Sequence, residues 1–216
     1  MARCENGALE LQEVSLSLEG TPLFSALTLT VTPGTAATVM GPSGCGKSSL
    51  LAYICGTLEP AFTPRGEVRL AGASLNPLPP EERHIGILFQ DDLLFPHLSV
   101  ADNLAFGVPA DIRGRDARRS LIESALADAD LAGMADRDPA TLSGGQRARV
   151  ALMRTLLSGP QALLLDEPFS KLDTDLRARM REFVFTHAQE NAIPTLLVTH
   201  DPADAEAAGG AVVELI

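Results

Sequence analysis

Lysine is almost missing from this chain: of 17 basic residues, only Lys47 and Lys171 are lysines. Arginine supplies positive charge elsewhere. A lysine therefore marks a place where a compact ammonium, rather than a planar guanidinium, is wanted. Basic charge is also outweighed. Acidic residues number 28 and leave a formal net charge of −11, which excludes a general nucleic-acid surface, since that needs a basic face. Cysteine is sparse: Cys4, Cys45 and Cys55 are odd in number and lack metal-ligand spacing, so free thiols in a reducing compartment are expected. No apolar run reaches the roughly 20 residues of a membrane helix, and MARCENGALELQ lacks a signal-peptide core. The chain is expected to be soluble, or peripheral to a membrane through partners. It has no internal repeat and no low-complexity tract, and 216 residues suffice for one generous domain or a core with a subdomain.

What is present is a change of texture along the chain. LELQEVSLSL and ALTLTV alternate apolar and polar residues and read as strands. TAATVM is a short buried strand, and KSSLLAYIC a helix closed by Gly56. GEVRLAG reads as an edge strand and HIGILFQ as a buried one. From about residue 92 the pattern turns helical: SVADNLAFG with Ser99 as cap, RDARRSLIESALADADL, and SGGQRARVALMRTLLSG up to Pro160. Then ALLLD, the helix TDLRARMREFVFTHAQEN, PTLLVTH and a final strand AVVELI follow. Such an order predicts an α/β core interrupted by a helical insert.

Gly41-Pro42-Ser43-Gly44-Cys45-Gly46-Lys47-Ser48 fits G-x-x-x-x-G-K-[ST] between a predicted strand and a predicted helix. The glycines let backbone N–H groups converge on a β-phosphate, Lys47 reaches the β- and γ-phosphates, and the Ser48 hydroxyl ligates Mg²⁺. The plainer alternative is a glycine-rich turn with a surface lysine. Cys45 reads as a tolerated small residue whose backbone does the work; nothing nearby resembles a resolving cysteine. ALLLDEP ends a buried strand in two carboxylates, where α/β ligand sites form. Asp166 is placed to hold Mg²⁺, directly or through water, and Glu167 to orient or deprotonate an attacking water. LSGGQ, residues 142–146, is a second anion station: Ser143 is a natural N-cap and two glycines bare the backbone. Read alone, it is equally a flexible helix start.

GPSGCGKSS, LSGGQ, ALLLDEPFSKLD and VTHD, in that order, resemble the ATP-binding subunits of ABC transporters over nearly the whole chain. The resemblance implies an α/β fold: a P-loop NTPase core with an N-terminal antiparallel β subdomain and an inserted α-helical subdomain carrying LSGGQ. Residues 1–91 and 160–216 would form the nucleotide-binding core with its β subdomain, and 92–159 the helical subdomain. ATP and Mg²⁺ are the implied cofactors. Gly41, Pro42, Ser43, Gly44, Cys45, Gly46, Lys47, Ser48 and Ser49 would bind nucleotide. Two copies would meet head to tail, so that Ser143, Gly144, Gly145 and Gln146 complete the partner's site. Ser48, Gln90 and Asp166 are the implied Mg²⁺ contacts, and Glu167, His200 and Gln90 the catalytic set. His84, His97 and His187 read as structural. Ser170-Lys171-Leu172-Asp173 matches the loop that crosses the dimer interface, with Lys171 where a small or neutral residue is frequent.

ILFQDDLLFPHLSVADNLAFG resembles the importer ATPases of the spermidine, ferric-iron, molybdate and thiamine type. There the segment forms a groove for a membrane permease; here Gln90 to Phe106, with Asp91, Asp92 and Leu93–Phe95, would line it. A buried helix-entry segment is the alternative. The expectation is a short form without the C-terminal regulatory domain, peripheral at the cytoplasmic face of the inner membrane. Its partners would be a permease, a solute-binding protein and a second copy, with no nucleic acid. A soluble ATPase of the same family is the other reading, but no zinc module, coiled coil or fused second domain is visible. A nucleotide kinase would share the phosphate loop without needing LSGGQ. The family's adenine-stacking aromatic falls at Leu18, which offers no π-face, and Phe24 is the nearest aromatic. Base selectivity is therefore expected to be weak. Leu18→Tyr should raise affinity for ATP relative to GTP in a fluorescent-nucleotide titration; unchanged affinities for both would remove the stacking argument.

Overall fold

The computed structural model describes residues 7–215. Cys4, read as a free thiol, and Ile216, at the end of AVVELI, lie outside them. The strands are β1 (Leu9–Leu18), β2 (Thr21–Pro22), β3 (Leu27–Val31), β4 (Ala36–Met40), β5 (Phe62–Leu70), β6 (Ala73–Ser74), β7 (Ile85–Leu88), β8 (Ala162–Asp166), β9 (Thr195–Val198) and β10 (Ala211–Glu214). The helices are α1 (Lys47–Cys55), α2 (Val100–Ala105), α3 (Arg115–Asp128), α4 (Gly144–Leu157), α5 (Thr174–Glu190) and α6 (Pro202–Ala208). By their contacts they form two compact units. One takes residues up to Ile87, Gln161–Glu167 and Arg181 onward; the other takes Leu88–Pro160 and Pro168–Met180.

The first unit holds two sheets. In the antiparallel one, β1 pairs β2 and β3 along one side and β5 along the other, with β6 beyond β5. β1 turns Leu9, Leu11, Val14 and Leu16 inward. The step from Leu11 to Val14 is one residue too long for strict alternation. A bulge absorbs it, with Glu13 at φ 49°. The sequence pattern placed an edge strand at GEVRLAG. The strand instead begins at Phe62 and lies between β1 and β6. Residues 63–66 are exposed, so only its second half carries an apolar signal.

The other sheet runs β10-β4-β9-β8-β7, and β10, β4, β9 and β8 pair parallel. Its inner strands are unbroken buried runs, as expected of a sheet covered on both faces: ALLLD and TLLV are buried throughout. HIGILFQ, expected as buried, forms a strand only over Ile85–Leu88 at the sheet edge, where Ile85 and Ile87 are half-buried. Between β4 and α1 the chain makes the glycine-rich loop. α1 ends at Gly56, whose left-handed φ of 87° suits glycine. The buried Arg83 donates to the Tyr53 and Ile54 carbonyls at that helix end, at 2.9 and 2.8 Å.

The second unit is helical. Ser99 caps α2, its Oγ accepting from the Asp102 amide at 3.1 Å. The buried Asn103 side chain accepts from Phe95 N–H at 2.8 Å and donates to the Phe95 and Ser99 carbonyls, so one amide fixes the whole entry segment. α2 ends hard against α4: a Cβ on Gly107 would lie 2.1 Å from the Arg154 carbonyl. Arg149, buried in α4, donates to the Ala129 carbonyl and, at 3.3 Å, to that of Asp130, joining α4 to the end of α3. Among the described residues no helix is long and apolar enough to cross a membrane.

Candidate functional site

The loop from Gly41 to Gly46 leaves the end of β4 and enters α1 through Gly46, which sits at φ 96° with Phe24 packed over it; a Cβ there would approach that ring to 3.2 Å. Gly41 is wedged more tightly: a Cβ would lie 2.8 Å from the Leu215 carbonyl and 2.9 Å from Cys45 Sγ. Lys47 folds back onto its own loop, its Nζ donating to the Gly41 and Pro42 carbonyls at 2.8 Å each. The ammonium is thus held at the mouth of the loop. Ser48 is exposed and Ser49 half-buried on the first turn of α1. A cavity of 440 Å³ opens beside the loop, lined by Met40, Gly41, Pro42, Cys45, His200, Glu214 and Leu215.

Asp166 ends β8 almost wholly buried. Burial pushes its carboxyl above the usual range and a hydrogen bond with Ser48 pulls it back; Glu167 raises it further and Lys47 lowers it. Glu167 follows in a left-handed conformation, φ 47°, its amide donating to the Val198 carbonyl at 2.9 Å. A non-glycine residue pays roughly 1–2 kcal/mol for that backbone, and the turn swings its carboxylate to His200, where Oε1 lies 2.9 Å from Nδ1. A carboxylate only accepts, so the ring nitrogen facing it carries the hydrogen and Nε2 faces away.

Sequence reasoning missed what holds His200. Thr199 Oγ1 donates to Asp204 at 2.7 Å, and Arg181 on α5 binds Asp204 at 2.5 Å and Asp201 at 3.0 Å. Asp201 also caps α6 through the Ala203 amide at 2.9 Å. The signal was there: Asp201 as N-cap, Pro202 in the first turn and Gly209 after the last mark a helix start and stop.

The donors suit Mg²⁺. Among the described residues no group of three or more His, Cys, Asp or Glu could cage a metal. A lone buried carboxylate and a hydroxyl are what Mg²⁺ uses when phosphates and water supply the rest. Ser48 and Asp166 would hold the ion, which when bound would neutralise charge on the phosphates.

LSGGQ lies in the second unit. Ser143 Oγ accepts from the Gln146 amide at 3.2 Å, and Gln146 Oε1 accepts from the Ser143 amide at 2.8 Å, a complete capping box. A helix start has four amides without intrahelical acceptors. The box uses the outer two. The inner two, from Gly144 and Gly145, are not used by the box, and bare amides at a helix start are what an anion site needs.

Gln90 is exposed, two residues past β7, and also belongs to the second unit. The segment after it is bolted to α4 at two turns of one face. Arg147 Nε binds Asp92 at 3.2 Å, while Arg154 donates to the Leu93 carbonyl at 3.1 Å and stacks over Phe95 at 5.5 Å. Leu93, Phe95 and Phe106 remain exposed at 59%, 37% and 66%, with the two phenylalanine rings 4.6 Å apart. In the first unit, Leu18 is exposed opposite Phe62 on β5, and Phe24 is buried.

Residues 24–170 match the family described as ABC transporter. The chain is 49% identical over 197 residues to the uncharacterized ABC transporter ATP-binding protein YnjD of Escherichia coli (strain K12), covering 91% of this chain and 90% of that protein. It is 38% identical over 213 residues to the Fe(3+) ions import ATP-binding protein FbpC of Rhizobium etli, covering 99% of this chain but 60% of that longer relative. Its fold matches the dimeric, post-hydrolysis structure of the ATP-binding cassette MJ0796 bound to ADP and Pi with a TM-score of 0.83 at 28% identity, over 96% of this chain and 94% of that one.

The two described thiols offer a test of the loop. Cys55 is buried, and burial pushes its thiol up, so little thiolate forms near neutral pH. Cys45 lies in the loop and lines the cavity. Iodoacetamide followed by peptide mass spectrometry should label Cys45 and spare Cys55, and Mg²⁺ with ATP should protect Cys45 several-fold. Equal labelling of Cys45 with and without nucleotide would place the phosphates elsewhere.

Proposed function

The chain belongs to the ABC transporter family, and from that premise we infer that it is the ATP-hydrolysing subunit of an importer, working as a head-to-tail dimer under a membrane permease. The observation that carries this reading is the division of donors at α4. The capping box satisfies its own helix and leaves the Gly144 and Gly145 amides spare. Those amides lie in a different compact unit from the phosphate loop. A second phosphate station of this kind is useful when another copy presents a nucleotide to it.

In that arrangement the Gly41–Gly46 loop and Lys47 take the phosphates of one ATP, and Ser143, Gly144, Gly145 and Gln146 of the other copy close over its γ-phosphate. Binding makes Lys47 exchange the Gly41 and Pro42 carbonyls for phosphate oxygens. Glu167, held by its turn and by His200, accepts a hydrogen bond from the attacking water and takes its proton. His200 would meet the γ-phosphate through Nε2, and Gln90 would offer its side-chain amide to the metal or the water. The γ-phosphate glues the two copies, and its loss releases one anion from each pair of glycine amides.

The exposed apolar side chains of Leu93, Phe95 and Phe106 would line the permease groove. Arg154 ties Leu93 and Phe95 to α4 and Arg147 ties the neighbouring Asp92, which gives a path from that groove to the LSGGQ end of the same helix. This groove, and the ferric-iron import relative, favour an importer over a soluble ATPase. The subunit would sit peripherally at the cytoplasmic face of the inner membrane, with a solute-binding protein completing the importer.

Glu167→Gln should bind ATP and Mg²⁺ yet accumulate as a dimer in size-exclusion chromatography; turnover at the wild-type rate would sink the role given to Glu167. Ser143→Arg should abolish hydrolysis while the monomer still binds nucleotide. If the monomer loses nucleotide affinity instead, LSGGQ acts within its own chain.

A further inference from the structure

Lys171 is one of only two lysines, and the phosphate loop does not use it. Its backbone and its side chain both reach the start of α4. A Cβ on Gly145 would come within 3.3 Å of the Lys171 carbonyl and 3.4 Å of the Leu172 side chain, so the loop backbone presses on the glycine itself. The Lys171 ammonium lies 3.3 Å from Asp92 Oδ1 and 3.9 Å from the exposed Asp91. Asp92 Oδ2 takes Arg147 Nε at 3.2 Å, so each oxygen of one carboxylate holds one cation. Arg147 Nη1 then donates to the Leu142 carbonyl at 2.7 Å, at the residue before the helix cap. The contacts close a ring: Leu142, Arg147, Asp92, Lys171, Gly145. Asp92 is the least exposed of its charged members, its side chain 11% exposed against 35% for Lys171 and 38% for Arg147.

We propose that Asp92 and Lys171 are positioning residues for the second phosphate station: the Lys171–Asp92–Arg147 clamp fixes the first turn of α4 so that the Gly144 and Gly145 amides meet the partner's γ-phosphate already aligned. The proposal rests on the head-to-tail reading above. A short helix start with two glycines is otherwise free to fray, and donors that must be ordered at the moment of binding cost affinity. A compact ammonium on a flexible stem reaches both Asp91 and Asp92 while the Lys171 backbone lies beside Gly145. The same clamp ties the segment after Gln90 to the LSGGQ end of α4.

The test uses the full chain with Glu167→Gln, so that ATP-driven dimers accumulate. Adding Lys171→Ala should raise the ATP and protein concentrations needed for dimerisation by roughly ten-fold, the scale of a lost charge-assisted hydrogen bond. Affinity of the monomer for a fluorescent ATP analogue should stay unchanged. Lys171→Arg should restore dimerisation only in part. Asp92→Asn should act like Lys171→Ala, and the double variant should cost less than the sum of the two. Lys171 is surface-exposed, so its removal tests the idea even if Asp92→Asn fails to fold. Dimerisation of the Lys171→Ala chain at the parent's concentrations would overturn the clamp. A parent Glu167→Gln chain that never dimerises with ATP would instead overturn the head-to-tail reading, and the clamp's role with it.

Discussion

Parallel pairing in one sheet fixes where this protein can do chemistry. In register, Val39 faces Val198, Asp166 also faces Val198, and Met40 faces Glu214. Four strand ends therefore finish level, on one edge. Asp166 stands in that row, and Gly41, Glu167 and His200 follow it by one or two residues, after β4, β8 and β9. A one-residue slip of β8 would turn Asp166 to the opposite face of the sheet. It would also move Glu167 off the Val198 carbonyl that supports its left-handed turn. β8 and β9 are buried along their whole length, so a slip there would carry a carboxylate into the core.

The second unit answers a different problem, how to steady a helix start whose inner amides no side chain caps. Side chains of Ser143 and Gln146 stabilise the helix from its outer amides, Arg149 holds it to the end of α3, and Arg147 and Arg154 hold it to the segment beyond Gln90. The glycine amides take no part in that support. Arginine does most of this fastening because one guanidinium can reach several carbonyls at once. That explains the chain's preference for it.

Most of the architecture was legible because its signals are local. The phosphate loop is a contiguous motif, LSGGQ carries its own cap, and ALLLDE announces a buried strand ending in acid. What escaped was long-range. Nothing in GEVRLAG says that residues 62–65 also pair with β1, because Thr63, Pro64 and Arg65 are exposed and carry no apolar pattern. Residues 168–180 cluster with the helical unit although they follow directly on a core strand. No periodicity encodes that. The Arg181–Asp204–Thr199 network behind His200 joins residues that look like ordinary surface charge in the sequence. Phe24, the aromatic nearest the family's stacking position, is buried, with its ring packed against Gly46.

Gly41 has a further consequence, for the order of events during synthesis. The phosphate loop leaves the ribosome before most of the elements described here, yet one wall of it is the Leu215 carbonyl, and the Leu215 amide is bound to Met40 at 2.9 Å. That wall is translated after every other element described here. A nascent chain can close the antiparallel sheet from its own early residues, but the loop stays open on one side until β10 docks beside β4. Contacts so distant in sequence form slowly. The cavity beside the loop is thus a late product of folding, and a chain stalled before β10 would display the whole glycine-rich motif without the wall that Glu214 and Leu215 supply.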